Sequence, residues 1–183
     1  ISTESKIIIS ICNKYKLKGL LIGRKDCELP NGCNDLMTTT NMLSHQELKD
    51  CYNKSKFIFL PNEKDASPRV LTEALAYNIP TLINKNILGG WKYINNETGE
   101  FFTDENDLEP ALEKMLKKIE NNKYEPRNFF VKNYSVINSG KRLKTFLYDN
   151  YGERINIDPK NVDYVTIESS KQDFKQCDPV YNK

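Results

Sequence analysis

The sequence predicts an α/β domain in which an open parallel sheet has helices on both faces. Short apolar runs typical of buried strands alternate with segments whose apolar residues recur at helical spacing. Right-handed crossovers between such strands make the sheet parallel. The 183 residues are enough for one domain with its own core. Ligands of open parallel sheets bind outside the carboxyl ends of the strands, so we expect a site in the loops after Gly23, Asn41, Leu60 and Asn84.

The strand predictions depend on apolar runs that end at turn residues. Leu20–Gly23 and Phe57–Leu60 are predicted as buried strands, and the second is closed by Pro61. A third run follows Pro80, and a short piece near the middle of the chain is predicted as an edge strand. The five predicted strands are residues 20–23, 37–41, 57–60, 81–84 and 99–102.

The helix predictions depend on apolar spacing and on capping signals. Ser44 and Glu47 form a capping-box pattern, which predicts a helix start with Tyr52 facing inward. The helix after Pro68 is expected to place Val70, Ala74 and Tyr77 on one side. The predicted helices cover residues 4–16, a segment from Ser44 onward, 69–77, a short piece at 91–94, 107–121 and 135–148. We expect a domain over residues 1–151 and a tail or extension over 152–183.

Composition and charge exclude several function classes. Lys and Arg number 27 against 25 Asp and Glu, and the basic residues are scattered, so nucleic acid is not an expected partner. The apolar runs are far shorter than the ~20 residues that a membrane-spanning helix needs. His45 is the single histidine, which leaves little material for a metal site. The five cysteines suggest reduced thiols in the cytoplasm, although Cys27 and Cys33 flank a turn and could pair under oxidising conditions.

The loop and helix after the second buried strand contain the chemical signal. Small residues between Asp65 and Arg69 precede a helix N-terminus, where backbone N–H groups favour an anion such as a pyrophosphate. Glu73 lies about one turn further on, where a carboxylate can accept hydrogen bonds from a vicinal diol such as a ribose. The simpler interpretation is that Asp65 and Ser67 cap the helix and that Glu73 is a surface residue.

The segment from Asp65 to Pro80 resembles the signature of retaining glycosyltransferases with the GT-B fold, the glycogen-synthase-like or family 4-like group. That signature is E-x(7)-E followed by A-M-A-x-G-x-P. Asp65 and Glu73 have its spacing, with Asp in the first position. Residues 43–61 and 88–102 are similar to its flanking segments, and Tyr93 stands where the G-G-x-x-E segment has its Glu. The resemblance covers residues 5–150.

The resemblance implies a Rossmann-like sheet that forms the C-terminal, donor-binding half of such an enzyme. Glu73 is implied to hold the ribose hydroxyls of a nucleotide diphosphate sugar, and Asp65 the hydroxyls of the transferred sugar; these two are the implied catalytic residues. The other implied substrate-binding residues are Gly23 beside the nucleotide, Met42 and Leu43 near the base, and Ser67, Pro68, Arg69, Val70 and Leu71 at the sugar and diphosphate.

The resemblance also implies the partners of the chain. The donor is expected to be a UDP or GDP sugar, with no metal and no other cofactor. The N-terminal GT-B domain is expected in the same gene product or in another chain, and because Ile1 is not an initiator Met we expect the sequence to begin inside a longer product.

Some alternatives stay open at this point. The chain is either a transferase half or a non-catalytic half-fold that binds a nucleotide sugar or a partner chain. Glu63 competes with Asp65 as the first acid. A receiver-like domain ranks last, because the sequence lacks its arrangement of early paired acids and a late Lys.

Overall fold

The structure is a computed structural model that describes residues 10–23 and 36–155. The strands are β1 (Gly19–Ile22), β2 (Met37–Thr40), β3 (Ile58–Leu60), β4 (Thr81–Asn84) and β5 (Gly99–Phe102). The helices are α1 (residues 10–15), α2 (His45–Lys54), α3 (Arg69–Ala76), α4 (Glu105–Glu120), α5 (Pro126–Tyr134) and α6 (Val136–Ile155), with a 3-10 turn at Trp91–Tyr93. The first part of the predicted helix 4–16, the loop 24–35 with Cys27 and Cys33, and residues 156–183 lie outside the described residues.

The five strands are parallel, which confirms the predicted α/β class. Gly19 of β1 is opposite Met37 of β2, and Thr81 of β4 lies between Ile58 of β3 and Gly99 of β5. The strands form a two-stranded sheet and a three-stranded sheet with the order β3-β4-β5. The predicted edge position of β5 is therefore confirmed.

Helices cover both faces of the three-stranded sheet because neighbouring residues of a strand point to opposite sides. Leu82 of β4 packs with α1 and with the buried residues Leu108, Leu112 and Met115 of α4. Ile83, the next residue, packs on the other face against α3. The helix α2 lies beside α3 through Tyr52 and its neighbours. The helix α3 thus packs against both the sheet and α2.

The predicted burial of two strands is wrong. All four residues of β4 are buried, whereas the residues of β3 are half-buried and Leu20 of β1 is 46% exposed. The difference follows from position, because β4 has a strand on each side and β3 lies at the edge of its sheet.

The buried face of α3 also differs from the prediction. Val70 is 43% exposed, and the buried residues are Leu71, Ala74 and Leu75. Val70 and Leu71 are adjacent apolar residues, and each can begin an apolar stripe with helical spacing in a helix of this length. The larger stripe with two leucines faces the core.

The predicted final helix over 135–148 is only part of the observed C-terminal region. The helix α5 was not predicted; it has Pro126 at its first position and packs its Phe130 against the α3 layer. The helix α6 extends to Ile155 and so crosses the predicted boundary between residues 151 and 152. That domain boundary stays a prediction.

Two loops meet at the carboxyl ends of β3 and β4. The N–H of Leu88 donates to the carbonyl of Glu63, and the N–H of Gly89 donates to the carbonyl of Asp65, both at 3.0 Å. A Cβ atom on Gly89 would lie 1.9 Å from the carbonyl oxygen of Ala66, closer than any real contact. The loop after β3 therefore has its shape only because Gly89 has no side chain.

An ionic cluster around the buried carboxylate of Glu100 joins β5 to α4. Glu100 accepts hydrogen bonds from Lys114 at 2.6 Å, from Lys118 at 2.7 Å and from the hydroxyl of Tyr124 at 2.9 Å. Burial by itself raises the pKa of Glu100, but these three donors outweigh it and hold the pKa below its ordinary value. The cluster is a structural element on the side of the sheet away from α3.

The Gly89→Ala variant is expected to lower the free energy of unfolding, because the new methyl group must displace the loop after β3. The matched control is Gly140→Ala, since Gly140 lies in α6 with no atom within 4 Å of the position of a Cβ. That control is expected to raise stability by about 0.5–1 kcal/mol, the usual helix preference of Ala over Gly. Urea unfolding of both variants makes the comparison, and a Gly89→Ala variant as stable as the parent would contradict the contact.

Glu100 is expected to contribute to acid sensitivity. Its pKa is lower in the folded chain than its ordinary value of 4.5, so its stabilising contribution is complete above pH 4.5 and is lost as the pH falls through the folded pKa. The Glu100→Gln variant should therefore lose less stability than the parent when the pH is lowered below 4.5. Urea unfolding over that range tests this, with the exposed Glu120→Gln as control; equal pH dependence in Glu100→Gln and the parent would refute it.

Candidate functional site

The first acid of the predicted site shapes the turn that leads into α3. The Oδ1 atom of Asp65 accepts a hydrogen bond of 2.9 Å from the N–H of Ser67, two residues on. This is an Asx turn, in which the side chain replaces a backbone acceptor. The N-cap of α3 is Pro68, with no side-chain hydrogen bond to the helix. The interpretation that Asp65 and Ser67 simply cap the helix is therefore wrong.

The start of α3 presents backbone donors beside a cationic side chain. The first N–H groups of a helix have no acceptor within it, and Pro68 offers no side-chain oxygen to them. The N–H of Leu71 already bonds to the carbonyl of Pro68 at 3.1 Å, which leaves the N–H groups of Arg69 and Val70 as donors. Arg69 is exposed at the same end of the helix. Donors and positive charge at a helix N-terminus favour an anion.

The second acid lies about one helical turn further along α3. Glu73 is half-buried, and its Oε2 atom accepts a hydrogen bond of 2.9 Å from the hydroxyl of Tyr52 on α2. A carboxylate has about four acceptor positions, so this bond leaves capacity for two ligand hydroxyls. The side chain is neither sealed in the core nor directed to bulk water, which is what a diol-binding carboxylate requires.

Tyr52 contacts the candidate site, and the sequence did not predict this contact. It was predicted to face inward, and it is 5% exposed, but nothing in the sequence connects its hydroxyl to a carboxylate 21 residues away. Burial and then the hydrogen bond to Glu73 raise the pKa of Tyr52. Its hydroxyl therefore remains protonated and acts as a donor at neutral pH.

A second group of predicted residues lies at the carboxyl ends of β1 and β2. Gly23 has a φ of 73°, and a Cβ atom there would lie 2.8 Å from the sulfur of Met42, so these two residues are in contact. Met42 is 83% exposed, and Leu43 beside it is half-buried. Among the described residues, no hydrogen bond joins Gly23, Met42 or Leu43 to the loop after β3. The roles of Gly23, Met42 and Leu43 stay predictions.

The structure keeps Glu63 beside Asp65 as an alternative first acid. Glu63 accepts a hydrogen bond of 3.4 Å from Asn84, a side chain that is only 1% exposed at the end of β4. Both acids lie in the same loop, above the carboxyl edge of the sheet.

Tyr93, at the motif position of a Glu, is directed toward the C-terminal helices. Its ring packs edge-on against that of Tyr134 in α5, with centroids 4.7 Å apart, and the ammonium of Lys92 lies over both rings. This side chain connects the 3-10 turn to α5. Trp91, in the same 3-10 turn, is 58% exposed.

Within residues 10–23 and 36–155, no group of three or more His, Cys, Asp and Glu side chains is arranged to hold a metal ion. None of the helices in the same ranges is long and apolar enough to cross a membrane.

The family model for group 1 glycosyl transferases matches residues 31–135, which is more than half of the chain and includes the loop from Asp65 to Glu73. No curated protein matches the sequence significantly. The family match covers β2 to α5 and therefore the whole edge at which the two acids and the start of α3 meet. The chain belongs to the group 1 glycosyltransferase family.

Proposed function

We propose that this chain is the C-terminal, donor-binding half of a retaining glycosyltransferase that takes its sugar from a nucleotide diphosphate sugar. The observation on which this depends is the arrangement along α3. Two donor N–H groups and Arg69 lie at its start, and the backbone of the half-buried Glu73 lies about 6 Å along the axis from that of Arg69. This arrangement suits a diphosphate next to a pentose.

The individual roles follow from which groups are accessible. The N–H groups of Arg69 and Val70 contact the diphosphate, and Glu73 accepts the two ribose hydroxyls. Pro68 has no N–H, and the side chain of Leu71 is in the core, so these two residues shape the loop without contacting the ligand through donors. Ser67 is available through its exposed side chain, because its N–H is already bonded to Asp65.

The transferred sugar lies on the Asp65 side of the helix start in this proposal. Asp65, or Glu63 beside it, accepts hydrogen bonds from the sugar hydroxyls. The leaving diphosphate is stabilised by the helix N-terminus and the guanidinium of Arg69, which supply positive potential without a metal. The donor is of the UDP or GDP type, with Met42 and Leu43 at the base and Gly23 beside the nucleotide.

The acceptor is bound by a partner domain in this proposal. An N-terminal GT-B domain, in the same product or in another chain, supplies the acceptor site and completes the cleft. Holding both substrates in register lowers much of the barrier to transfer. The cytoplasmic location expected from the cysteines is part of the same proposal.

One observation favours a second candidate, a non-catalytic half-fold that binds a nucleotide sugar or a partner chain. The family position of a Glu is taken by Tyr93, whose ring is packed on Tyr134. Transfer or hydrolysis of a nucleotide sugar by the purified chain would exclude this candidate. An NMR assay of the product then shows whether the anomeric configuration is retained.

The Glu73→Ala variant is expected to bind a nucleoside diphosphate more weakly by about 1.5–3 kcal/mol, because a hydrogen bond between a charged group and the ribose is lost. Isothermal calorimetry with UDP, GDP and ADP measures the change. Thermal shifts with the corresponding sugars identify the donor, since a ligand that binds only the folded chain raises its apparent stability.

The control for this prediction is Glu120→Ala, which removes the same charge from the exposed end of α4. It should leave the affinity unchanged. If Glu73→Ala binds the nucleotide as tightly as the parent does, Glu73 does not hold the pentose and the proposed role is wrong.

A further inference from the structure

We infer that Tyr52 is a positioning residue for the donor site: its hydroxyl holds the carboxylate of Glu73 in the orientation that accepts the pentose hydroxyls. The inference rests on the proposed function, because it assigns a purpose to a contact of the carboxylate that is proposed to bind the ribose. It adds a residue from a different helix, α2, to the site.

The packing around Tyr52 fixes the position of its hydroxyl. The hydroxyl is 2.9 Å from Oε2 of Glu73, and the tyrosine is 5% exposed. Its ring stacks on that of Tyr77 with centroids 5.0 Å apart and planes 14° apart, and it packs with Ala74 and Ile79. A ring held on several sides has one available position for its hydroxyl, so the donor is rigid.

The contact favours ligand binding because it restricts the side chain of Glu73. A glutamate on a helix has three rotatable side-chain bonds, and restricting it when a ligand binds costs conformational entropy. A hydrogen bond that restricts the side chain before binding removes part of that cost. Tyr52 bonds to Oε2, so Oε1 and the remaining acceptor positions on Oε2 are available to the ligand.

The chemistry of the Tyr52 hydroxyl keeps it a hydrogen-bond donor throughout the neutral range. Burial and the neighbouring carboxylate raise the pKa of the Tyr52 hydroxyl, so it donates throughout the neutral range. A tyrosine is also a neutral donor, so it orients Glu73 without cancelling its charge. A Lys or Arg at this place would compete with the ligand for the carboxylate.

The test uses Tyr52→Phe in the full chain, with two probes. This variant keeps the stacked ring and removes only the hydroxyl, so it is expected to fold, which thermal melting verifies. The probes are whichever of UDP, GDP or ADP the parent binds most tightly and the 2′,3′-dideoxy counterpart of that nucleotide, which lacks the hydroxyls that Glu73 is proposed to accept. Calorimetry gives the dissociation constants.

Tyr124→Phe is the matched control. The hydroxyl of Tyr124 also donates to a glutamate at 2.9 Å, but that glutamate is Glu100 in the structural cluster between β5 and α4. Both variants therefore lose one hydrogen bond from a tyrosine to a carboxylate. In Tyr124→Phe the carboxylate keeps its two lysine partners, and it lies outside the proposed site.

Tyr52→Phe is expected to weaken binding of the nucleoside diphosphate about three- to tenfold, the usual cost of immobilising one long side chain when a ligand binds. Binding of the dideoxy probe should be unchanged, and Tyr124→Phe should change neither. The positioning role is wrong if Tyr52→Phe binds the natural nucleotide as tightly as the parent does. It is also wrong if the variant loses the same affinity for both probes. If Glu73→Ala also leaves the affinity unchanged, or the parent binds none of the three nucleotides, the proposed function has failed and the inference with it.

Discussion

The contact between the loops that follow β3 and β4 is the constraint on which the rest of the site depends. Gly89 and its neighbour Leu88 donate their N–H groups to the carbonyls of Asp65 and Glu63, and the space at Ala66 admits no side chain at position 89. Because both loops leave neighbouring parallel strands at the same edge, the sheet brings them together. This contact places Asp65 and sets where α3 begins.

Much of this architecture was predictable from local patterns. The strands could be placed because their apolar runs end at Gly23, Pro61 or similar residues, and the capping box at Ser44 and Glu47 is present as predicted, with the N–H of Ser44 donating to Glu47 at 2.8 Å. These signals act within a few residues, so tertiary packing does not alter them. The two acids were located by their resemblance to the family signature, and the structure places both near the start of α3.

The features that were not predicted depend on packing between distant segments. Val70 and Leu71 each fit a helical stripe, and only the sheet beneath α3 decides between them. The helix α5 has its apolar residues side by side at Phe129–Val131, so its pattern has neither helical nor strand spacing. The bond from Tyr52 to Glu73 joins two helices, and no local signal predicts such a pairing.

NMR titration of the ¹⁵N-labelled chain with UDP and GDP shows whether the start of α3 binds the diphosphate of a nucleotide sugar, as proposed. The largest amide shift changes are expected at Ser67, Arg69 and Val70, because these residues lie at the helix start beside the proposed ligand. Saturable binding with the largest changes elsewhere, for example around the Tyr93–Tyr134 contact, and none at these three residues would contradict it.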